Sequence, residues 1–262
     1  GRGQYEISCS PRAALKAADV ALISSEITRE AARRHGLRAS FSPKPTLDHV
    51  GNGSHIHLSL ADSKGRNVTN DGVGPLGLGE TAARFSAGIL AHMDALIAII
   101  APSPVSYHRL GPHHWSTGYR CIGRQNREAA LRVMPGISRD PEIAAKGFNL
   151  EIRAADCTAS PYLALGVLAR AGLEGIRRDL ALPPPAKIDP AEMTEEAREE
   201  AGITPLPASL DAALEALKED DVVRGWFPDE LYESFLSIKT WEADFAKSTA
   251  PDILFARYRH AY

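Results

Sequence analysis

Two histidines and a serine alternate along one short stretch and are the first candidates for chemistry. Residues 51–60 read Gly-Asn-Gly-Ser-His-Ile-His-Leu-Ser-Leu. In a β-strand, residues two apart share a face, so His55, His57 and Ser59 would lie opposite three aliphatic side chains. Imidazoles bind metals and exchange protons near neutral pH. The stretch predicts a half-buried strand whose polar face serves a metal–nucleotide site, and histidines satisfied by ordinary hydrogen bonds are the alternative.

Carboxylates and arginines occur on other segments with strand-like alternation. Glu6 lies within residues 4–8, and Glu151 and Arg153 share one face of residues 150–153. A carboxylate beside an arginine is costly to bury unless each has a partner. A cation held by carboxylates and an anion held by arginines would remove that cost, and phosphoryl transfer uses this arrangement. Cross-strand salt bridges are the alternative. The arginines concerned are Arg109, Arg127, Arg132 and Arg153.

Composition excludes several classes of function. The chain has 262 residues, a net charge of −3 and 44% hydrophobic residues, enough for one large domain or two small ones. This charge balance does not favour a nucleic acid or an anionic membrane surface as partner. Three cysteines without a CxxC spacing indicate neither a disulfide framework nor a zinc cluster, so we expect a cytoplasmic protein. The longest apolar run, residues 89–100, is too short to span a bilayer.

The remaining periodicity predicts one α+β domain. Polar, glycine-rich stretches at residues 62–79 and 134–148 are predicted to be loops. Strands are predicted at residues 4–8, 55–60, 126–133 and 150–153. Helices are predicted to begin at Pro11 and Ser160, and to cover residues 80–101, 210–217, 229–245 and a short segment from Pro251.

Six of these segments together resemble the catalytic domain of glutamine synthetase. They follow the family's order and spacing over essentially the whole chain, and they are residues 3–6, 43–45, 51–60, 106–110, 126–132 and 151–163. The resemblance implies a glutamine synthetase and guanido kinase-type fold, in which helices back a curved, mostly antiparallel sheet. It also implies that residues 1–262 form one catalytic domain and that the family's N-terminal β-grasp domain is absent from this sequence.

The resemblance implies an ATP-dependent ligase. In this family ATP phosphorylates the γ-carboxylate of glutamate, and an amine or ammonia then displaces phosphate. Two divalent cations, Mg²⁺ or Mn²⁺, take part, and a neighbouring subunit of a homo-oligomeric ring completes each site. Because the family's strand with two further metal carboxylates is also absent from this sequence, we expect the 262 residues alone to bind the cation weakly and to be inactive. Ordinary glutamine synthetase and a non-catalytic structural member of the fold are the alternatives.

The matching positions imply a role for each candidate residue. The metal ligands would be Glu6 for one cation, and His55 and Glu151 for the other. Contacts to the nucleotide would come from His57, Ser59 and Lys146. Glutamate would be bound by Gly51, Arg109 and Arg153. The transferring phosphoryl group would be bound by Arg127 and Arg132, whose guanidinium groups suit phosphate.

One departure from the family concerns the amine. Ammonia-using relatives carry a glutamate a few residues after the Arg-Leu pair, where this chain has Trp115. Tryptophan has no formal charge to attract ammonium, but it can line an apolar pocket or hold an alkylammonium by cation–π contact. The departure therefore predicts an organic amine such as a monoalkylamine or a polyamine as substrate. The alternative is that Trp115 packs its loop against the sheet and points away from the site.

Overall fold

An open, mixed β-sheet forms the centre of the domain. The computed structural model describes residues 1, 3–48 and 50–262. Within them the strands are β1 (Ile56–Leu58), β2 (Tyr119–Arg124), β3 (Ala129–Met134), β4 (Asn149–Ile152) and β5 (Thr204–Pro205). Their order across the sheet is β1-β4-β3-β2-β5. Only the β2–β3 pair is parallel, and the other neighbours are antiparallel. The predicted α+β class and mostly antiparallel sheet are confirmed.

Helices pack behind the sheet and build the apolar core. The α-helices are α1 (Ala14–Arg34), α2 (Glu80–Ala91), α3 (Met93–Ile100), α4 (Pro141–Gly147), α5 (Pro161–Arg177), α6 (Glu195–Glu200), α7 (Leu210–Glu219), α8 (Asp221–Arg224), α9 (Asp229–Lys247) and α10 (Pro251–Ala261). Helix α2 packs on α5, and α3 packs on α7. The aliphatic faces of β3 and β4 belong to the same buried cluster as these helices. The core therefore holds the central strands rigidly from one side.

The segment predicted as one helix over residues 80–101 is two helices. The chain bends by 75° between α2 and α3 at His92, whose Nδ1 lies 2.6 Å from Asp220 Oδ2. The break lets α2 and α3 pack against different partners, α5 and α7. Among the described residues no single helix is long and apolar enough to cross a membrane. Helices α2 and α3 are long and apolar enough only when they are taken together, and most of their residues are buried in the domain.

Helices α2 and α5 meet through glycines at close range. A methyl group added at Gly88 would overlap the carbonyl oxygen of Ala171 and the backbone of Gly175. A methyl group at Gly175 would in turn overlap the backbone of Gly88. By contrast, a methyl group at Gly166, also on α5, would meet nothing within 4 Å. The glycines at the contact thus permit a helix spacing that larger side chains would prevent.

Several predicted boundaries are wrong. Residues 4–8 are exposed and belong to no strand in the described chain. Helix α1 begins at Ala14 rather than Pro11, and its apolar residues Leu15, Leu22 and Ile23 are exposed, whereas Ala18 is buried. The predicted loop over residues 134–148 contains α4, because Asp140 caps the backbone N–H groups that follow Pro141. Strand β2 was not predicted.

Candidate active site

Glu151 is the centre of a charged cluster on the sheet. It lies on β4, opposite His57 of β1 and Arg132 of β3 in the strand register. Its Oε1 lies 2.9 Å from His55 Nδ1 and accepts a hydrogen bond of 2.9 Å from Arg153 Nη1. Arg132 Nε contacts the other carboxylate oxygen. The strand alternation therefore brings together a carboxylate, two imidazoles and two guanidinium groups.

The surroundings of Glu151 keep its carboxylate ionised. Burial raises the pKa of Glu151, since its side chain is only 1% exposed. The hydrogen bond with His55 and the positive charges of Arg153 and Arg132 outweigh burial and lower the pKa to about 2. A buried, ionised carboxylate that lines a cavity beside an imidazole is suited to binding a divalent cation.

The spacing of the His55–Glu151 pair suits a shared metal ion. Adjacent ligands of an octahedral Mg²⁺, each about 2.1 Å from the ion, lie about 3.0 Å apart. The 2.9 Å between His55 Nδ1 and Glu151 Oε1 is a hydrogen-bonding distance, and the two atoms lie close enough to bind one ion once Nδ1 has lost its proton. Among the described residues no group of three histidine, cysteine, aspartate or glutamate side chains could hold a metal. The pair therefore fits part of a coordination shell and leaves the remaining positions to water, substrate oxygens or other ligands.

An open cavity of about 470 Å³ lies over this cluster. Eight of the twelve candidate residues from the sequence line it. They are Glu6, His55, His57, Trp115, Arg127, Arg132, Glu151 and Arg153. Two further residues, His113 and Glu128, also line the cavity and are not among those twelve. The sequence thus identified most of the cavity wall, although Glu6 reaches it from an irregular segment rather than from a strand.

The arginines of the cavity differ in how they are held. Arg153 and Arg132 both pair with Glu151, and Arg153 Nε donates a 2.8 Å hydrogen bond to the carbonyl oxygen of Arg127. The side chain of Arg127 is exposed, and no ion pair involves it among the described residues. Arg127 is therefore free to bind an anion in the cavity, whereas Arg132 and Arg153 are fixed in place by protein contacts.

Arg109 lies beneath the site and does not line the cavity. It is 2% exposed, and its Nη1 donates to Ser116 Oγ at 2.9 Å while Nη2 donates to the carbonyl oxygens of Ala154 and Ala155. Its alkyl chain packs so closely on Gly51 that any side chain there would overlap it. This buried position differs from the substrate clamp expected of Arg109, because both of its terminal nitrogens already donate to the protein. Contact of Arg109 and Gly51 with glutamate stays a prediction.

Of the three predicted nucleotide contacts, only His57 lines the cavity. His57 Nδ1 is 2.8 Å from Asn149 Oδ1, and its Nε2 is 4.0 Å from Glu151 Oε1. Ser59 is exposed just after β1, and Lys146 is exposed in the last turn of α4. Neither Ser59 nor Lys146 is part of the cavity wall. Their contacts with a nucleotide stay predictions.

The loop that carries Trp115 has an unusual backbone. Trp115 and His113 have φ angles of +59° and +62°, in the left-handed region that bulky residues rarely adopt. The Trp115 side chain is 73% exposed at the cavity. His113 Nε2 lies 2.8 Å from Asp189 Oδ2, and this hydrogen bond raises the pKa of His113. The loop therefore presents Trp115 outward instead of packing it against the sheet.

Comparison with known proteins identifies the family. Residues 1–258 match the family model for the glutamine synthetase catalytic domain. The chain belongs to the glutamine synthetase family. It is 36% identical to the gamma-glutamylpolyamine synthetase GlnA3 of Streptomyces coelicolor over 260 residues, which are 99% of this chain and 55% of that protein. It is 40% identical to the glutamine synthetase of Pyrococcus woesei over 253 residues, which are 93% of this chain and 53% of that protein.

Solved structures of the family have the same fold. A novel glutamine synthase homologue superposes with a TM-score of 0.82 at 39% identity, over 94% of this chain and 54% of its own. The GmaS/ADP complex superposes with a TM-score of 0.78 at 31% identity, over 91% and 53%. This chain therefore spans about half the length of the relatives it matches. These relatives include both a polyamine synthetase and a glutamine synthetase, so family membership alone does not decide the amine.

Proposed function

We propose that this chain carries the catalytic centre of an ATP-dependent ligase that joins the γ-carboxylate of glutamate to an amine through γ-glutamyl phosphate. One observation carries the proposal: the His55–Glu151 pair and Arg127, Arg132 and Arg153 line the same cavity. Phosphoryl transfer needs cationic groups around the transferring oxygens, and little covalent chemistry from the protein. A cavity in which a candidate metal-binding pair lies beside arginines meets that need.

In this proposal His55 and Glu151 hold one divalent cation, Mg²⁺ or Mn²⁺, and Glu6 contributes to a second. When bound, these ions neutralise the phosphate charges of ATP. The imidazole–carboxylate spacing of 2.9 Å and the ionised state of Glu151 support the first site. Glu6 lines the same cavity, which supports the second.

In this proposal different arginines bind different anionic groups of the substrates. Arg127 has a free guanidinium and is proposed to bind the phosphoryl group as its charge spreads. Arg132 is proposed to assist it. Arg153 is held by Glu151 and by the carbonyl of Arg127, so its remaining donors are oriented in advance for a carboxylate of glutamate.

The proposed amine is organic rather than ammonia. Trp115 is exposed at the cavity on a strained loop, and residues held in such backbone conformations cluster at ligand sites. An amine with a carbon body gains about 25 cal/mol for each Å² of apolar surface that it buries against the ring. Ammonium has no such surface, and desolvating it requires a compensating anion. The position of Trp115 supports this preference over the alternative in which it packs inward.

Ordinary glutamine synthetase is the second candidate, favoured by the 40% identity to an archaeal enzyme of that name. Steady-state kinetics of the full-length protein decide between the two. We expect a higher kcat/KM for a monoalkylamine or a polyamine than for ammonium. We expect Trp115→Glu to shift the preference toward ammonium and Trp115→Phe, the matched aromatic control, to retain it. Ammonium as the best substrate of the unmodified protein would contradict the proposed amine specificity.

Homo-oligomeric assembly is also part of the proposal. Helix α1 exposes several large apolar side chains, among them Leu15 at 71% and Ile27 at 63%. Exposed apolar residues in such number on one helix are typical of a surface that another subunit or domain covers. Sedimentation of the full-length protein tests this, and a monomer at working concentration would contradict it.

A further inference from the structure

Glu128 contributes a carboxylate to the cavity wall, and none of the roles proposed above involves it. It lies between β2 and β3, immediately after Arg127. Glu151, by comparison, contacts two arginines and a histidine. Among the residues that the structure describes, no basic side chain forms an ion pair with Glu128. Its recorded side-chain contact is a weak one, in which the backbone N–H of His113 donates to Oε2 over 3.3 Å. The cavity thus contains a negative charge available to a cationic ligand.

Glu128 is tied to the loop that carries Trp115. The N–H of His113 donates to its side chain on one side of Trp115, and Thr117 Oγ1 donates to its carbonyl oxygen over 2.6 Å on the other. The carboxylate and the indole therefore belong to one connected wall of the cavity. A carboxylate beside an exposed aromatic ring is the combination that recognises an organic ammonium, because the charge pairs with the nitrogen and the ring contacts the carbon body.

We propose that Glu128 binds the ammonium group of the incoming amine and accepts its proton. This rests on the proposed ligase function. Protonated amine has no free electron pair, so one proton must leave nitrogen before attack. In the proposed step that proton passes from R–NH₃⁺ to the Glu128 carboxylate. The nitrogen of R–NH₂ then forms a bond to the γ-carbonyl carbon of γ-glutamyl phosphate. The carbon–oxygen bond to phosphate breaks, and the second proton leaves with the phosphate as HPO₄²⁻.

Glu128→Gln isolates the charge, because glutamine keeps an acceptor for the His113 N–H. In the full-length protein we expect kcat/KM for an alkylamine to fall roughly 10- to 100-fold at neutral pH, the range for loss of a charged hydrogen bond. The loss should shrink as pH rises and more amine becomes uncharged. KM for ATP and glutamate should stay within about twofold, because Arg153 and Arg132 keep their contacts with Glu151 in this variant.

Hydroxylamine, used in place of the alkylamine, distinguishes proton acceptance by Glu128 from a structural role. It is already uncharged at neutral pH, so Glu128→Gln should form γ-glutamyl hydroxamate at nearly the rate of the unmodified protein. Glu199→Gln, an exposed glutamate on α6, is the matched control and should behave as wild type with both nucleophiles. Equal losses with alkylamine and hydroxylamine, or no loss with either, would overturn the role of Glu128. Absence of any amide or hydroxamate from the unmodified protein would instead overturn the proposed ligase function.

Discussion

Replacing Glu151 by glutamine should remove a measurable, pH-dependent part of the stability of the fold. The ordinary pKa of this side chain is 4.5, and the folded site lowers it to about 2. A carboxylate whose pKa is lowered by folding stabilises the native state above its unfolded pKa, and this contribution disappears as pH falls through the folded pKa. The relevant window is therefore between about pH 4.5 and pH 2.

The size of the effect follows from the same two values. Each pKa unit corresponds to about 1.4 kcal/mol, so the lowered pKa of Glu151 contributes about 3 kcal/mol at pH 7. By the same linkage about 2 kcal/mol of that contribution is lost by pH 3. Glutamine cannot titrate, so Glu151→Gln should be less stable at pH 7 by an amount that shrinks toward acid pH.

The difference in unfolding free energy between the unmodified protein and Glu151→Gln can be measured by urea denaturation, followed by circular dichroism. The measurements are made at pH 7 and pH 3 with a chelator present. The chelator removes any stabilisation by bound cations, which would otherwise add to the result. Glu199→Gln controls for the loss of one exposed carboxylate and should follow the wild-type pH dependence. Parallel pH profiles for the unmodified protein and Glu151→Gln would refute the assignment of Glu151 as the ionised centre of the site.

Two further predictions concern catalysis and packing. Arg127→Ala in the full-length protein should lower kcat far more than it raises KM for glutamate, because an arginine that lines the cavity acts where charge develops. The loss of transition-state stabilisation should be on the order of 3–4 kcal/mol. An unchanged kcat in steady-state assays would contradict this. Gly88→Ala should destabilise the fold by about 1–3 kcal/mol, because the added methyl group overlaps α5. Gly166→Ala should not destabilise it, because the added methyl group meets open space and alanine has the higher helix propensity. Equal melting temperatures for the two variants would contradict this prediction.

The central cluster could be predicted because strand alternation is a local signal. His57, Glu151 and Arg153 were each placed on a polar strand face, and the register of β1 and β4 brings those faces together. The six-segment resemblance to glutamine synthetase supplied the family, which the comparisons confirm. Alternation identifies which face a strand residue occupies, whereas Trp115 and Arg127, which lie in connecting segments, were found through the resemblance.

The rest of the site depends on contacts that leave no local pattern. Glu128 and His113 lie in connecting segments, where no periodicity marks them, and their positions follow from a hydrogen bond between those segments. Arginines are mostly exposed in proteins, so the burial of Arg109 could not be expected. It results from carbonyl oxygens some 45 residues further along the chain. Strand β2 was missed because Tyr-Arg-Cys-Ile-Gly-Arg does not alternate in polarity.

A competition assay tests the central claim most directly. The full-length protein would be supplied with ATP, glutamate, Mg²⁺ and equal concentrations of ammonium, a monoalkylamine and a polyamine, and the products identified by mass spectrometry. We expect a γ-glutamyl derivative of an organic amine as the main product, formed in step with ADP and phosphate. Glutamine as the main product, or ATP consumption without any γ-glutamyl amide, would contradict it.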